Sequence, residues 1–359
     1  TGFSIFKNIK YLDPTLILWR SSTQWIGGLY FLSFLTLIFS NKKFNYKMTN
    51  LTFSGDSNFK SEENVKNNLL KIFILYCILS FLIFSLLNIS GVRLFNSLNL
   101  TMTLVSNGGF LPSDNLVDII SSNFQKIIIM ISLILSMLNF YFLFNIFDKN
   151  RLLKNHKEDF YLLGLVVILT LLIYFNDLET LNIIIGIISS LANSGLTLIT
   201  NDNNLGLYFL LITIIGGSLI SNTSGIKLIR IYILLKSTTA EILKLVRPNN
   251  IISQNILFSE KKISKENAKI SFLIFISFFL SIFVLSSILI FDQINFEDSF
   301  KISVLTLTNT VNSDIYGTQN INFSNLLVSS KIGLIIFMVI GKIELISLFL
   351  LVKKFLFKN

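Results

Sequence analysis

Charged residues are scarce in this sequence, and so are cysteine and histidine. Only 14% of the 359 residues are Asp, Glu, Lys or Arg, whereas 52% are hydrophobic. A soluble domain normally carries about 25% charged residues. The mean hydropathy is +0.69. These values exclude an ordinary soluble domain and predict a chain embedded in a lipid bilayer.

The single cysteine and the single histidine restrict the possible chemistry. Cys77 lies inside an apolar run, so a disulfide framework is impossible. His156 lies in a basic segment and has no second histidine or cysteine with which to bind a metal. The sequence contains no Ser–His or Cys–His arrangement and no nucleotide-binding loop. We therefore expect a protein that is not an enzyme and that needs no organic cofactor.

Long apolar segments predict the membrane topology. A helix needs about 20 apolar residues to cross a bilayer. The predicted spans are roughly 14–40, 69–91, 118–147, 160–176, 205–235, 270–291 and 325–352. Shorter amphipathic segments near 94–106, 181–193 and 299–311 are predicted to enter and leave the membrane on the same side.

The charges of the connections orient these spans. Lys and Arg concentrate at 41–68, 148–158, 227–269 and in the C-terminal tail, which marks these segments as cytoplasmic. The net charge of +10 is thereby explained without nucleic acid as a partner. The opposite connections carry Asp114, Asp118, Asp177, Glu179, Asp202, Asp292, Glu297, Asp298 and Asp314. These acids are either simply solvated or concentrate cations at an outer mouth.

One order of elements recurs along the chain: span, half-helix, polar turn, span. Gly2, Gly108, Gly195 and Asn312 are taken as equivalent points of four turns. The predicted fold is an all-α membrane protein with pseudo-fourfold helix–pore-helix–helix repeats around a central ion pore. The four units are 1–45, 65–150, 158–240 and 265–359. The first unit lacks its outer helix and half-helix, so we expect the chain to begin inside a longer protein.

The turns themselves indicate a chemistry. Irregular backbone at membrane depth is tolerated only where protein or a water-filled cavity surrounds it. Glycine permits backbone angles that point carbonyl oxygens at an ion, and such oxygens replace the hydration shell of K⁺ in potassium filters. For any single turn, an ordinary loop is the alternative.

Ordered motifs resemble the Trk/Ktr/HKT superfamily of potassium transporters, and in particular its bacterial Trk membrane subunits. They are "TGFS" at 1–4, "LWRSSTQWIGGLY" at 18–30, "SNGGFLPSD" at 106–114, "SMLNFYFLF" at 136–144, "NSGLT" at 193–197, "GGSLISNTSGIKLIR" at 216–230 and "GKIELISLFLLV" at 341–352. The resemblance implies K⁺ uptake across the bacterial cytoplasmic membrane by a multi-pass homodimer above a cytoplasmic nucleotide-binding regulatory ring. The implied filter residues, which alone would bind K⁺, are Thr1, Gly2, Asn107, Gly108, Ser194, Gly195, Val311 and Asn312.

The resemblance also implies that the glycine-rich stretch at 216–230 interrupts the inner helix of the third unit and forms a gate beneath the filter. Its residues are Gly216, Gly217, Ser221, Asn222, Thr223, Gly225 and Lys342. The alternative for the glycine-rich stretch is close helix packing. Lys227 and Arg230 are expected at the cytoplasmic rim, facing lipid or the regulatory ring.

Lys342 lies inside an apolar run, where a lysine costs about 2.5–3.5 kcal/mol at the bilayer centre. By resemblance, it faces the pore and repels permeating cations; a buried packing network is the alternative. Glu344 lies about 200° further around the helix and is expected to face other helices. Arg20 is expected to tie carbonyls of the filter loops.

The sequence departs from the superfamily at several filter positions. Asn312 aligns with the usual glycine of the fourth turn, whereas Asn107 and Ser194 stand where threonine is common. Lys342 replaces an arginine. A sodium-conducting or weakly selective permease, and a non-conducting membrane scaffold, therefore remain alternatives to a potassium permease.

Overall fold

The computed structural model describes residues 2–6, 8–40, 62–147, 157–173, 180–199, 205–247, 263, 265–318 and 323–343. Within these ranges the regular structure is helical throughout. The helices are α1 (Pro14–Ser40), α2 (Glu62–Ile89), α3 (Leu94–Ser106), α4 (Asn123–Met137), α5 (Phe140–Phe147), α6 (Lys157–Ile173), α7 (Thr180–Leu191), α8 (Gly206–Ile215), α9 (Leu228–Val246), α10 (Lys265–Ile290), α11 (Phe296–Thr308) and α12 (Val328–Ile343).

The outer surface has the character of a lipid-facing one. In the described part of the chain, two helices are both long and apolar enough to cross a membrane, Lys66–Ile89 and Lys265–Ile290. Large apolar side chains on both are exposed, among them Phe81 at 73% and Leu280 at 59%. Such exposure would promote aggregation in water but is favourable in a bilayer.

The helices can be grouped by the predicted repeat boundaries. The second unit comprises α2, the half-helix α3 and the inner helix α4 with α5. The third comprises α6, the half-helix α7 and the inner helix α8 with α9, and the fourth comprises α10, α11 and α12. In the first unit, the described residues form a turn and the inner helix α1. The predicted all-α membrane fold is confirmed, and the division into units remains a prediction.

Packing between repeats closes the helices into a ring. Each inner helix packs against the half-helix of the next repeat, α1 on α3, α4 on α7 and α8 on α11. Each outer helix packs against the half-helix of its own repeat. At the seam between first and last repeats, a Cβ added at Gly2 would lie 3.1 Å from the methyl carbon of Met338 on α12.

Two inner helices are interrupted, and only one interruption was predicted. The glycine-rich stretch does separate α8 from α9, over residues 216–227. The span predicted at 118–147 is also broken, between Met137 and Phe140. This second break contains no Gly or Pro, and distant groups stabilise it. The Asp159 carboxylate accepts from Asn139 N at 2.9 Å, and Phe140 N donates to Ile220 O at 3.0 Å.

Candidate functional site

The three half-helices end in the same hydrogen-bonded turn. Asn107, Asn193 and Asn309 follow α3, α7 and α11 in the left-handed region, with φ of 54°, 58° and 53°. In each turn the asparagine N–H donates three residues back, and the next N–H donates five residues back, at 2.9 to 3.0 Å. This pattern is a Schellman-type helix end, with Asn in the position usually taken by Gly.

The positions of these asparagines show which residues are equivalent in the different turns. This alignment differs from the predicted one. Two residues after each asparagine stand Gly109, Gly195 and Val311. Gly109 and Gly195 have φ of 82° and 74°, whereas Val311 is not among the positive-φ residues. The equivalent points are therefore Gly109, rather than Gly108, and Val311, rather than Asn312. The predicted alignment of Asn312 with the usual glycine was one residue out, because it ignored the cap asparagines.

The four turns meet at one place. A Cβ added at Gly109 would overlap Ser194 O and lie 2.6 Å from Val311 Cγ2. A Cβ added at Gly195 would overlap the carbonyl oxygen of Val311. The first turn joins this cluster because Asn312 N donates to Gly2 O at 3.1 Å. Backbone atoms approach so closely here that only glycine fits at Gly109 and Gly195.

Most predicted filter residues lie in or beside this cluster. Asn107 and Gly108 begin the second turn, and the buried Ser194 lies in the third. Thr1 lies outside the described residues. Whether these residues bind an ion remains a prediction.

The cluster also has a favourable field for a cation. The half-helices α3, α7 and α11 all direct their C-terminal ends at the turns. A helix C-terminus carries a partial charge of about −0.5, from carbonyl groups without intrahelical partners. Three such ends at one place attract a cation and repel an anion.

Helix α1 holds the second turn through a side chain that the sequence did not single out. Gln24 Nε2 donates to Gly108 O at 2.9 Å, and Gln24 Oε1 accepts from Phe110 N at 3.3 Å. Arg20 was expected to tie carbonyls, but its guanidinium contacts side chains instead. Its guanidinium lies 4.4 Å from the centre of the Phe110 ring and 3.4 Å from Ser4 Oγ. Gln24 therefore takes the role predicted for Arg20.

The segment 216–227, here called the loop, lies in the interior of the protein. It is on the same side of the turns as the C-terminal parts of the inner helices. Ser218, Ser221, Asn222 and Thr223 have exposures of 0%. Asn222 Nδ2 donates to Val105 O at 2.8 Å, near the end of α3, and Ser218 N donates to Met137 O at 3.1 Å. Polar groups of this irregular backbone are thus satisfied by neighbouring elements, as burial in a membrane protein requires.

Lys342 fastens the loop to the fourth repeat. Its Nζ donates to Asn222 O at 2.5 Å and lies 4.6 Å from the centre of the Phe31 ring on α1. The position is reached because Gly341 lets α12 approach the end of α11. A Cβ added at Gly341 would overlap Leu307 O. Glu344 lies outside the described residues.

A buried ionic cluster, formed by Glu158, Asp159, Lys227 and Arg230, lies where the loop meets α9. Their exposures are 7%, 1%, 2% and 0%. Glu158 lies within electrostatic reach of Lys227 and Arg230, and its carboxylate accepts from Leu219 N at 3.1 Å. Lys227 and Arg230 were expected at the cytoplasmic rim, facing lipid or the regulatory ring; this was wrong in that both side chains are buried within the protein. The Glu158 carboxylate on α6 supplies negative charge beside these buried cations.

Several acidic residues of the predicted outer connections have local partners. Asp118 pairs with Lys10 at 3.0 Å and raises the pKa of that lysine above its usual value. Asp114 accepts from Ile9 N at 2.6 Å, and Glu297 pairs with Lys301 at 2.6 Å. These bonds indicate a structural role for some of the carboxylates. Asp177, Glu179 and Asp202 lie outside the described residues.

Comparison with known proteins locates this architecture among characterised folds. No family model matches the sequence. The chain is 26% identical over 376 residues to an uncharacterized cation transporter of Methanocaldococcus jannaschii, covering all of this chain and 74% of that protein. The crystal structure of the potassium transporter TrkH from Vibrio parahaemolyticus superimposes with a TM-score of 0.82, at 18% identity, over 98% of this chain and 75% of that one. The chain therefore has the fold of TrkH.

The fold that the motif resemblance implied is therefore confirmed in three dimensions. Sequence reasoning missed the capping role of the asparagines, the role of Gln24, and the pair Glu158 and Asp159. The asparagines had a signal, because an Asn follows each of the three half-helices within two residues of its end. Gln24 and the acidic pair had no such signal, because their partners are distant in the chain. Gln24 bonds a residue 84 positions away, and Glu158 bonds one 61 positions away.

Proposed function

We propose that the protein is the membrane subunit of a potassium uptake system that conducts K⁺ through the cluster of four turns. A partly dehydrated K⁺ is coordinated there by main-chain oxygens of the predicted filter residues. The convergence of Gly2, Gly109, Gly195 and Val311 is the observation that carries this proposal. The three half-helix ends add an electrostatic preference for cations. The similarity to a potassium transporter and to a cation transporter supports it.

The loop is the proposed gate in this function. It lies buried below the turns and is held by Val105, Met137 and Lys342. In this arrangement it obstructs the route from the turns to the cytoplasm. The ammonium of Lys342 adds Coulomb repulsion against a cation entering that route. Conduction then requires the loop to leave at least one of these partners.

Val311 favours a second candidate, a weakly selective cation permease. The second and third turns have glycine with positive φ where the fourth has a β-branched valine. A filter in which three turns have a conformationally free glycine and the fourth has a restricted valine surrounds the ion less evenly. Uneven coordination lowers discrimination between K⁺ and Na⁺, because selectivity depends on the number and placement of the oxygens.

The assembly belongs to the same proposal. By analogy of fold, the protein acts as a homodimer in a cytoplasmic membrane, above a nucleotide-binding regulatory ring on the basic side. The transported ion is K⁺, and the chemistry described needs no organic cofactor.

Reconstitution of the full-length protein in lipid vesicles tests this function. We expect uptake of ⁸⁶Rb⁺ that K⁺ inhibits and that Na⁺ inhibits at least tenfold less strongly. Equal inhibition by K⁺ and Na⁺ would replace the potassium permease by the weakly selective one. No uptake above empty vesicles, with protein shown to be inserted and folded, would leave the scaffold as the function.

A further inference from the structure

We propose that Asn193 is a positioning residue that couples the third turn to the loop, so that ion occupancy of the turns and displacement of the loop influence each other. The inference deepens the proposed function and rests on it. In this inference, a single side chain connects the cluster of turns with the loop.

Asn193 makes bonds to three different elements. It ends α7, and its Nδ2 donates to Thr213 O on α8 at 2.8 Å and to Thr310 Oγ1 of the fourth turn at 3.5 Å. Its Oδ1 accepts from Ser224 N of the loop at 3.1 Å. The side chain is 2% exposed, so water does not replace a bond that is lost.

The other two cap asparagines show what is special about the third. The Asn107 amide bonds Ser136 on α4, and the Asn309 amide donates to Met338 O on α12 at 2.9 Å. Within the described part of the chain, neither is hydrogen-bonded to the loop. All three therefore fasten a turn to its own inner helix, but only Asn193 also contacts the proposed gate.

The reason lies in the interruption of the third inner helix. Helix α8 ends at Ile215, and the chain returns through the loop beside the end of α7. The main-chain N–H of Ser224 is thereby brought to Asn193 Oδ1. In the fourth repeat, α12 is continuous past Met338, so no such group reaches Asn309.

Displacement of the loop therefore removes a partner from the residue that sets the conformation of the third turn. The Asn193 amide must then rotate or remain partly unsatisfied, and its bond to Thr310 of the fourth turn changes with it. Coupling of this kind is reciprocal by thermodynamic necessity. An ion that fixes the turns must favour the loop position in which Asn193 is fully bonded.

Accessibility of the loop measures this coupling directly. In the full-length protein with Cys77→Ser, Ser221→Cys places a thiol at a position with 0% exposure. A membrane-permeant maleimide modifies it only when the loop moves. We expect saturating K⁺ to slow modification about tenfold relative to choline. Asn193→Gly, which keeps the left-handed backbone accessible, should reduce this difference to less than twofold.

Asn309→Gly is the matched control because it removes the same amide from an equivalent, buried cap. It should retain at least a fivefold effect of K⁺, even if it lowers ⁸⁶Rb⁺ flux. Asn193→Asp keeps an oxygen for Ser224 N–H but removes the Nδ2 donor to Thr213 O and Thr310 Oγ1, so it should also reduce the effect of K⁺ to less than twofold. This third variant decides the matter if Asn193→Gly does not fold.

The outcomes separate the inference from the function on which it rests. If the unaltered protein transports ⁸⁶Rb⁺ but Asn193→Gly retains the K⁺ effect as Asn309→Gly does, the coupling role is overturned and the function stands. Retention of the full K⁺ effect in a folded Asn193→Asp protein also overturns it. If the unaltered protein transports no cation, both the proposed function and this inference fail.

Discussion

The third and fourth repeats begin alike and end differently. Both have a half-helix that ends at a left-handed asparagine, Asn193 or Asn309, with the same pair of main-chain bonds. Two residues later the third repeat has Gly195 and the fourth has Val311. The inner helix then breaks at Gly216 in the third repeat, whereas α12 runs unbroken from Val328 to Ile343.

The difference shows how one structural unit serves two tasks. The fourth repeat supplies Lys342, which holds the loop of the third. The third repeat gives up helical hydrogen bonds over the loop and makes others, with Glu158 and Asn193 of its own repeat and with Val105, Met137 and Lys342 of other repeats. Because its bonds are not those of a continuous helix, the loop is the segment expected to move in the proposed gating.

The largest effect is expected from exchanging the residues that distinguish the two turns. Gly195→Val places a β-branched residue at φ of 74°, where a left-handed backbone costs about 1–2 kcal/mol, and its Cβ overlaps Val311 O. We expect ⁸⁶Rb⁺ uptake in vesicles to fall at least 100-fold.

Val311→Gly is the reciprocal change and should preserve uptake within about threefold. It is expected to raise the ratio of K⁺ to Na⁺ inhibition, because the four turns become more alike. Equal loss of uptake in both variants would show that the two turns are not distinguished by this position.

A large effect on stability is expected from the buried ionic cluster of the third repeat. Glu158→Gln leaves Lys227 and Arg230 without one of their nearby negative charges, and removing one partner from a buried ionic group costs about 3 kcal/mol. Thermal unfolding of the protein in detergent should show a lower Tm. An unchanged Tm would mean that charges outside the described residues compensate the cations.

A moderate effect is expected where the fourth repeat holds the third. Lys342→Met keeps the length of the side chain but removes the bond to Asn222 O and the positive charge. Basal ⁸⁶Rb⁺ uptake should rise about tenfold, as loss of about 1.4 kcal/mol from the closed state implies. Lys331→Met, at the other end of α12, is the control and should leave uptake unchanged. Uptake that does not rise in Lys342→Met would assign Lys342 to packing alone.

The smallest effect is expected at the surface pair of the fourth repeat. Glu297 lies 2.6 Å from Lys301, but its side chain is 78% exposed, and exposed pairs contribute little. Glu297→Gln should leave both Tm and uptake within experimental error. Together with Glu158→Gln, it compares an exposed with a buried carboxylate. A shift in Tm as large as that of Glu158→Gln would contradict this comparison.

Features that depend on local sequence were predictable. Apolar runs indicated the helices, and short amphipathic segments indicated the half-helices at 94–106, 181–193 and 299–311. The structure places these at Leu94–Ser106, Thr180–Leu191 and Phe296–Thr308. The glycine-rich interruption was also recognised, because three glycines in a span weaken a helix.

Features that depend on distant partners were not predictable. The break at Asn139 is stabilised by Asp159 and Ile220, and its own sequence is as apolar as an unbroken helix. Lys227 and Arg230 were placed at a rim because their compensating charges on α6 are about 70 residues away in the chain. The register of the fourth turn required the conformation of Asn309, which composition does not reveal.

The amino-acid sequence by itself determined that the chain lies in lipid, where its helices run and where its polar turns occur. These properties follow from hydrophobicity and from the conformational freedom of single residues. Only the tertiary structure decided which turns converge, which side chains hold the loop and which charges are buried. The physical reason is that a buried polar group must be satisfied by whatever packing brings to it, and its partner is often far away along the chain, in the same repeat or in another.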